Sequence, residues 1–158
     1  MSAQTLTQPE TVAAAAQASR RGSTRLVPAI IFALGAGVLG VSAYLTPDPT
    51  GLGTHTQLLL PACGFYLATG YPCPTCGYTT AFALAAHGQI WASLRTQPAG
   101  AVLALAVCAL TLVSGYALVT GSTLAPVGRL LRPALFIAAG ALVLGAWVYK
   151  VLLVSHTL

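Results

Sequence analysis

Apolar side chains dominate this chain in three long blocks rather than at every third or second position. Leu26 to Leu45 is a run of 20 uncharged, mostly apolar residues. At about 1.5 Å per residue, such a helix spans the ~30 Å hydrocarbon core of a bilayer. Ala99 to Thr120 and Pro133 to Val154 repeat the pattern. Each is introduced by proline, Pro98 before the second and Pro133 opening the third, which suits a first helical turn because the missing N–H has no partner there. Lys150 interrupts the third block close to its end, where its ammonium is expected to snorkel to the interface. Small residues four apart, Ala36 with Gly40 and Ala141 with Gly145, fit close helix–helix approach. A retained span suits the first block better than a cleaved signal peptide, whose apolar region is only about 7 to 15 residues.

Residues 57–97 follow a different pattern, too apolar for an aqueous loop and too broken by Pro and Gly for a clean span. Leu58 to Thr69, interrupted by Pro61 and Gly64, has the length of a re-entrant or interfacial piece. From Tyr78 the four-residue spacing of Phe82, Ala86, Ile90 and Leu94 predicts a helix, with Gly88 as a break or C-cap. The expected architecture is an all-α integral membrane protein: three transmembrane helices over 26–45, 99–120 and 133–154, plus a short interfacial or re-entrant helical hairpin whose turn is Cys73 to Gly77. Residues 1–25 are rich in Ser, Thr, Gln and Ala, and read as a mostly disordered cytoplasmic tail, with transient helix at Thr11 to Ser19.

Composition narrows this further. Of 158 residues, 6% are charged and 56% hydrophobic, against about a quarter charged in a soluble domain. The formal charge of +5 comes from cations beside apolar runs, which marks membrane topology and not nucleic-acid binding. With the N-terminus cytoplasmic, Arg20, Arg21, Arg25, Arg129 and Arg132 lie inside, while Arg95 and Lys150 face outward. The cysteine segment is then extracytoplasmic, in a bacterial inner or cell membrane. Treating Tyr78 to Leu94 as a fourth span would reverse Arg129 and Arg132, so the charge rule favours three.

The chemistry-bearing stretch runs from Cys63 through Thr69-Gly70 to Cys73-Pro74-Thr75-Cys76-Gly77-Tyr78-Thr79-Thr80. It resembles domain-of-unknown-function family 2752, small bacterial membrane proteins. The family pattern has an upstream Cys, a Thr-Gly, then Cys-Pro-x-Cys-Gly-x-Thr-Arg entering a helix, a Gly-Asp, and an Asn-Pro before the next span. The resemblance covers roughly residues 57–100. Thr80 stands where the pattern has Arg, Gln89 where it has Asp and Gln97 where it has Asn. The first two positions read as an ion pair in relatives, lost jointly here to avoid stranding an unpaired charge near lipid.

Three roles compete for Cys63, Cys73 and Cys76. A structural disulfide would tie Cys63 to Cys73 or Cys76, as an extracytoplasmic location permits. A metal site would use the Cys-x-x-Cys turn as a knuckle with Cys63 as third ligand, zinc as candidate cofactor and His55 or His87 as candidate fourth ligand. A thiol–disulfide reaction would use Cys73 as the attacking thiol, its pKa lowered at a helix start, with Cys76 or Cys63 resolving.

Elsewhere the sequence offers less. His55 reads as a solvated loop residue, His87 as a satisfied interfacial histidine, Cys108 as a packing residue in the second span and Asp48 as a turn former. The chain has only two side-chain carboxylates, Glu10 and Asp48, so hydrolytic acid–base catalysis is hard to build. A non-enzymatic membrane protein therefore ranks ahead of a thiol oxidoreductase. Its expected partners are lipid and a membrane protein or a second copy of itself, with no nucleic acid.

Overall fold

A computed structural model describes residues 8–122 and 133–155, with side chains described for 25–122 and 135–153. Arg129 and Arg132, on which the charge count draws, lie outside the described residues, as do the side chains of Arg20 and Arg21. The described chain is all-helical: α1 Gln8–Tyr44, a 3₁₀ turn at Thr54–Leu58, α2 Gly64–Thr69, α3 Tyr78–Ala86, α4 Ile90–Thr96, α5 Pro98–Thr120 and α6 Pro133–Ser155. Three stretches are long and apolar enough to cross a membrane, Arg25–Tyr44, Pro98–Thr120 and Leu135–Leu153. α1 extends N-terminally of its apolar run to Gln8. The protein is an all-α membrane protein.

The central pair is α1 against α5. The α1 face turned inward is the stripe Pro28, Ile31, Gly35, Leu39 and Ser42, spaced three and four apart, while Ala36 and Gly40 are exposed. Gly35 packs directly against the Thr111 side chain of α5, leaving no room for a Cβ. A small residue does bring the helices together, but one position away from the expected pair. The same holds in α6, where Ala146 and Lys150 are buried and Ala141 and Gly145 exposed. Alanine-rich spans contain several small-residue registers, and the partner helix selects among them.

Residues 78–96 do not form a span. Gly88, at φ +75°, breaks the predicted helix into α3 and α4, of nine and seven residues. At about 1.5 Å per residue, neither approaches bilayer thickness. The two fold together as a hairpin on α5 and α1, joined where the Ser93 hydroxyl donates to the Ala81 carbonyl at 2.7 Å, with Ser93 and Ala81 both buried. Gly100 at the start of α5 admits this hairpin: a Cβ there would stand 3.0 Å from that of Ala81. The hairpin turn is thus at His87–Gln89, whereas the sequence reading put it at Cys73–Gly77. α2 has no buried residue and stands apart as an exposed leg before the cysteine turn.

α6 packs lightly on α5 and is held at its C-terminal end by side chains reaching the connecting segment. Trp147 Nε1 donates to the Pro72 carbonyl at 2.9 Å, Tyr149 Oη to Arg95 at 3.2 Å and Lys150 Nζ to Thr96 at 3.1 Å. The C-terminal ends of α1 and α6 and the N-terminal end of α5 therefore gather around residues 45–97, as an up-down-up path of three spans requires. Lys150 does not snorkel outward: it is 2% exposed, because the folded segment covers the end of α6.

Candidate metal or thiol centre

The cysteine turn is built from backbone hydrogen bonds and two glycines. Cys76 N–H donates to the Cys73 carbonyl at 3.0 Å and Tyr78 N–H to that of Thr75 at 3.2 Å. Gly77 caps α3 at φ +92°, a conformation that costs little only without a Cβ. It backs onto Gly51, itself at φ +73°. Gln97, fully buried, donates from Nε2 to the Pro74 carbonyl at 3.3 Å. Trp147 and Gln97 thus grip carbonyls on either side of Cys73.

Cys63 arrives separately, as the N-cap of α2. The three sulfurs of Cys63, Cys73 and Cys76 lie within 4.8 Å of one another. The Cys73 and Cys76 sulfurs are 3.1 Å apart, and all three residues are free thiols. Two sulfurs bound tetrahedrally to one zinc ion, each at about 2.3 Å, stand about 3.8 Å apart. The donor set therefore fits a thiophilic ion once the 3.1 Å pair opens and the widest pair closes, shifts of up to about 1 Å. Cys63 and Cys73 are partly exposed and Cys76 is buried.

The thiols of the turn are electrostatically unequal. Burial raises the pKa of Cys73, but hydrogen bonds from the Thr75 hydroxyl, 3.3 Å away, and from Cys76 outweigh it and bring the thiol down to about 7. Burial, reinforced by Cys73 and Cys63, pushes Cys76 up to about 12. Sequence reasoning credited a helix start with lowering Cys73. The helix begins five residues later, at Tyr78, and the nearby donor is Thr75, the variable position of the motif. In reduced, metal-free protein, Cys73 alkylation by iodoacetamide should rise with pH, reach half its maximum near pH 7 and level off above it. Cys76 should stay slow throughout, and mass spectrometry of the labelled peptide resolves the two.

Among the described residues, His55 and His87 do not join the cluster. His87 gives its Nδ1 proton to the Ala83 carbonyl at 2.7 Å on an exposed helix surface, as a satisfied interfacial histidine would. His55, read as merely solvated, lines a cavity of about 320 Å³ with Tyr66, Cys63 and Cys76. Asp48 is a turn former: its Oδ1 accepts from the Thr50 N–H at 2.7 Å. Cys108 is a half-buried residue of α5, away from the other thiols.

Positions 80 and 89 do not approach one another. Thr80 is fully buried at the start of α3, its hydroxyl 2.8 Å from that of Thr54. Gln89 is exposed beyond the other end, past the Gly88 turn. An ion pair between them is not available in this fold. Neither Thr54 nor Lys150 was marked by the sequence as part of the site's surroundings.

No curated protein and no solved structure matches the chain. The model of the family described as Protein of unknown function (DUF2752) matches residues 63–111, from the first thiol of the cluster to the Thr111 that packs on Gly35, so the cysteine segment and the first part of α5 are similar to that family.

Proposed function

We propose that this is a membrane metalloprotein whose cysteine segment binds one thiophilic dication, zinc being the candidate, through Cys63, Cys73 and Cys76. The metallated segment serves as a docking element for a membrane protein partner or a second copy of the chain. The observation that carries this is the meeting of three sulfurs from two separate stretches of chain within 4.8 Å. A dithiol alone does not call for the third. Three thiolates leave one tetrahedral position to a further donor, and the cavity shared by Cys63, Cys76 and His55 offers access to it. Bound there, the ion would tie α2 to the cysteine turn, and its chemistry would be structural cross-linking.

The segment is proposed to face outward, with Arg20, Arg21, Arg25, Arg129 and Arg132 on the cytoplasmic side. Lys150 is buried and drops out of the outward count, which strengthens the bias. Protein purified under reducing conditions should carry about one zinc per chain by elemental analysis, and Cys73→Ser or Cys76→Ser should abolish it. Metal-free protein that also fails to take up added zinc would overturn the reading. Labelling intact cells with an impermeant maleimide after metal removal checks the sidedness.

One observation favours a second reading. The 3.1 Å Cys73–Cys76 contact, with one thiol near 7 and the other near 12, is the inequality expected between an attacking and a resolving thiol. As an oxidoreductase, the protein would form a mixed disulfide through Cys73 that Cys76→Ser traps. Absence of any trapped adduct in oxidising cells would remove this reading.

A further inference from the structure

We infer that Lys150 is the built-in counter-charge of the cysteine centre, so that Cys63, Cys73, Cys76 and Lys150 together take up a dication as a neutral unit. This rests on the metal reading above and specifies what that site contains.

The placement of Lys150 is unusual for a cation near the end of a span. Its side chain is 2% exposed, and its ammonium, with three N–H donors, makes one hydrogen bond among the described residues, to the Thr96 carbonyl. It points between the two glycines that shape the turn. A Cβ on Gly51 would stand 3.1 Å from its Nζ, and one on Gly77 would stand 3.6 Å from it. Gly77 follows Cys76 directly, and the ammonium and Cys76 lie within electrostatic reach of one another.

A buried ammonium requires an anionic partner or becomes costly. The sequence has only two side-chain carboxylates, Glu10 and Asp48. Glu10 belongs to the far end of α1, about 50 Å along that helix. Asp48 is engaged by the Thr50 amide and hydroxyl. The remaining anions that residues 45–97 can offer are cysteine thiolates. Three thiolates on a dication leave a net charge of −1, which one ammonium cancels. A cystine would leave no charge to cancel. The competing role for Lys150 is to cap the C-terminal carbonyl of α4, in which case its charge does not matter to the cysteines.

The test is a cobalt titration, with zinc competition, of reduced, metal-stripped full-length protein in detergent. It compares wild type with Lys150→Met, Lys150→Gln and Lys150→Arg. Glutamine retains a donor for the Thr96 carbonyl without charge, and so covers a methionine variant that fails to fold. Helicity and size-exclusion profile establish folding. The neutral variants should reach the wild-type sulfur-to-cobalt charge-transfer spectrum at saturation, but bind zinc about 10- to 100-fold more weakly. Arginine should stay within a few-fold of wild type. Wild-type affinity in a folded neutral variant would reduce Lys150 to a helix cap while leaving the metal site intact. A wild type without the charge-transfer band at any cobalt concentration would remove both the site and this role for Lys150.

Discussion

Valine at position 77 should cost the protein its cysteine centre. Gly77 sits at φ +92°, and a Cβ there would stand 2.8 Å from the Gly51 carbonyl oxygen, an approach that backbone on both sides cannot relieve by side-chain rotation. A β-branched residue in that conformation carries about 1–3 kcal/mol of strain. Displacing Gly51 also disturbs Thr96 and Lys150, which pack on it. Together these put Gly77→Val at about 3 kcal/mol or more, in the range reserved for defined structural lesions. The expected result is loss of stoichiometric zinc and a lower midpoint in an SDS unfolding titration from mixed micelles. Gly70→Ala is the control. Gly70 has φ +73° but open space around it, so only the left-handed penalty of about 1–2 kcal/mol applies, and metal should be retained. Equal effects at 70 and 77 would mean that the contact between Gly77 and Gly51 is unimportant.

The spans were legible because their signal is local: twenty or more apolar residues in succession suit lipid whatever they pack against. The break at Gly88 was legible for the same reason, since a glycine at φ +75° acts on its own helix. What sequence could not supply were relations across the fold. Lys150 was assigned to the interface from its distance to the end of its block, but its hydrogen-bond acceptor, Thr96, lies 54 residues earlier. No pattern along α6 records that partner. The three thiols were named as candidates from the knuckle and the upstream cysteine, yet their convergence depends on Trp147 of α6 and Gln97, the residue joining α4 to α5, fixing Pro72 and Pro74. Thr75 escaped notice because it fills the position that the motif leaves free, although its hydroxyl is what chiefly lowers Cys73. The inferred pairing of positions 80 and 89 fails because Thr80 is buried at the start of α3 and Gln89 is exposed beyond its end.

That failure redirects the question of what accompanies an arginine at position 80. Thr80 is fully buried and hydrogen-bonded to Thr54, which is equally buried. Thr80→Arg alone would bury a guanidinium with five donors and one hydroxyl to receive them. An uncompensated buried charge costs about 3–5 kcal/mol, so little folded protein should survive extraction. Adding Gln89→Asp should leave that loss unchanged, because the carboxylate would be exposed beyond the far end of α3, after the Gly88 turn. Adding Thr54→Asp places an acceptor of opposite charge on the residue that already touches position 80, and should recover a substantial part of the stability. The measurement is the SDS unfolding midpoint of the single and both double variants. Rescue by the change at 89 rather than at 54 would mean that the α3–α4 hairpin packs differently from the arrangement described. Rescue by 54 would mark the junction between the 3₁₀ turn and α3, immediately behind the cysteine turn, as the place where a charged pair can replace the two threonines. The thiol centre would then rest on that buried contact whichever pair of residues makes it.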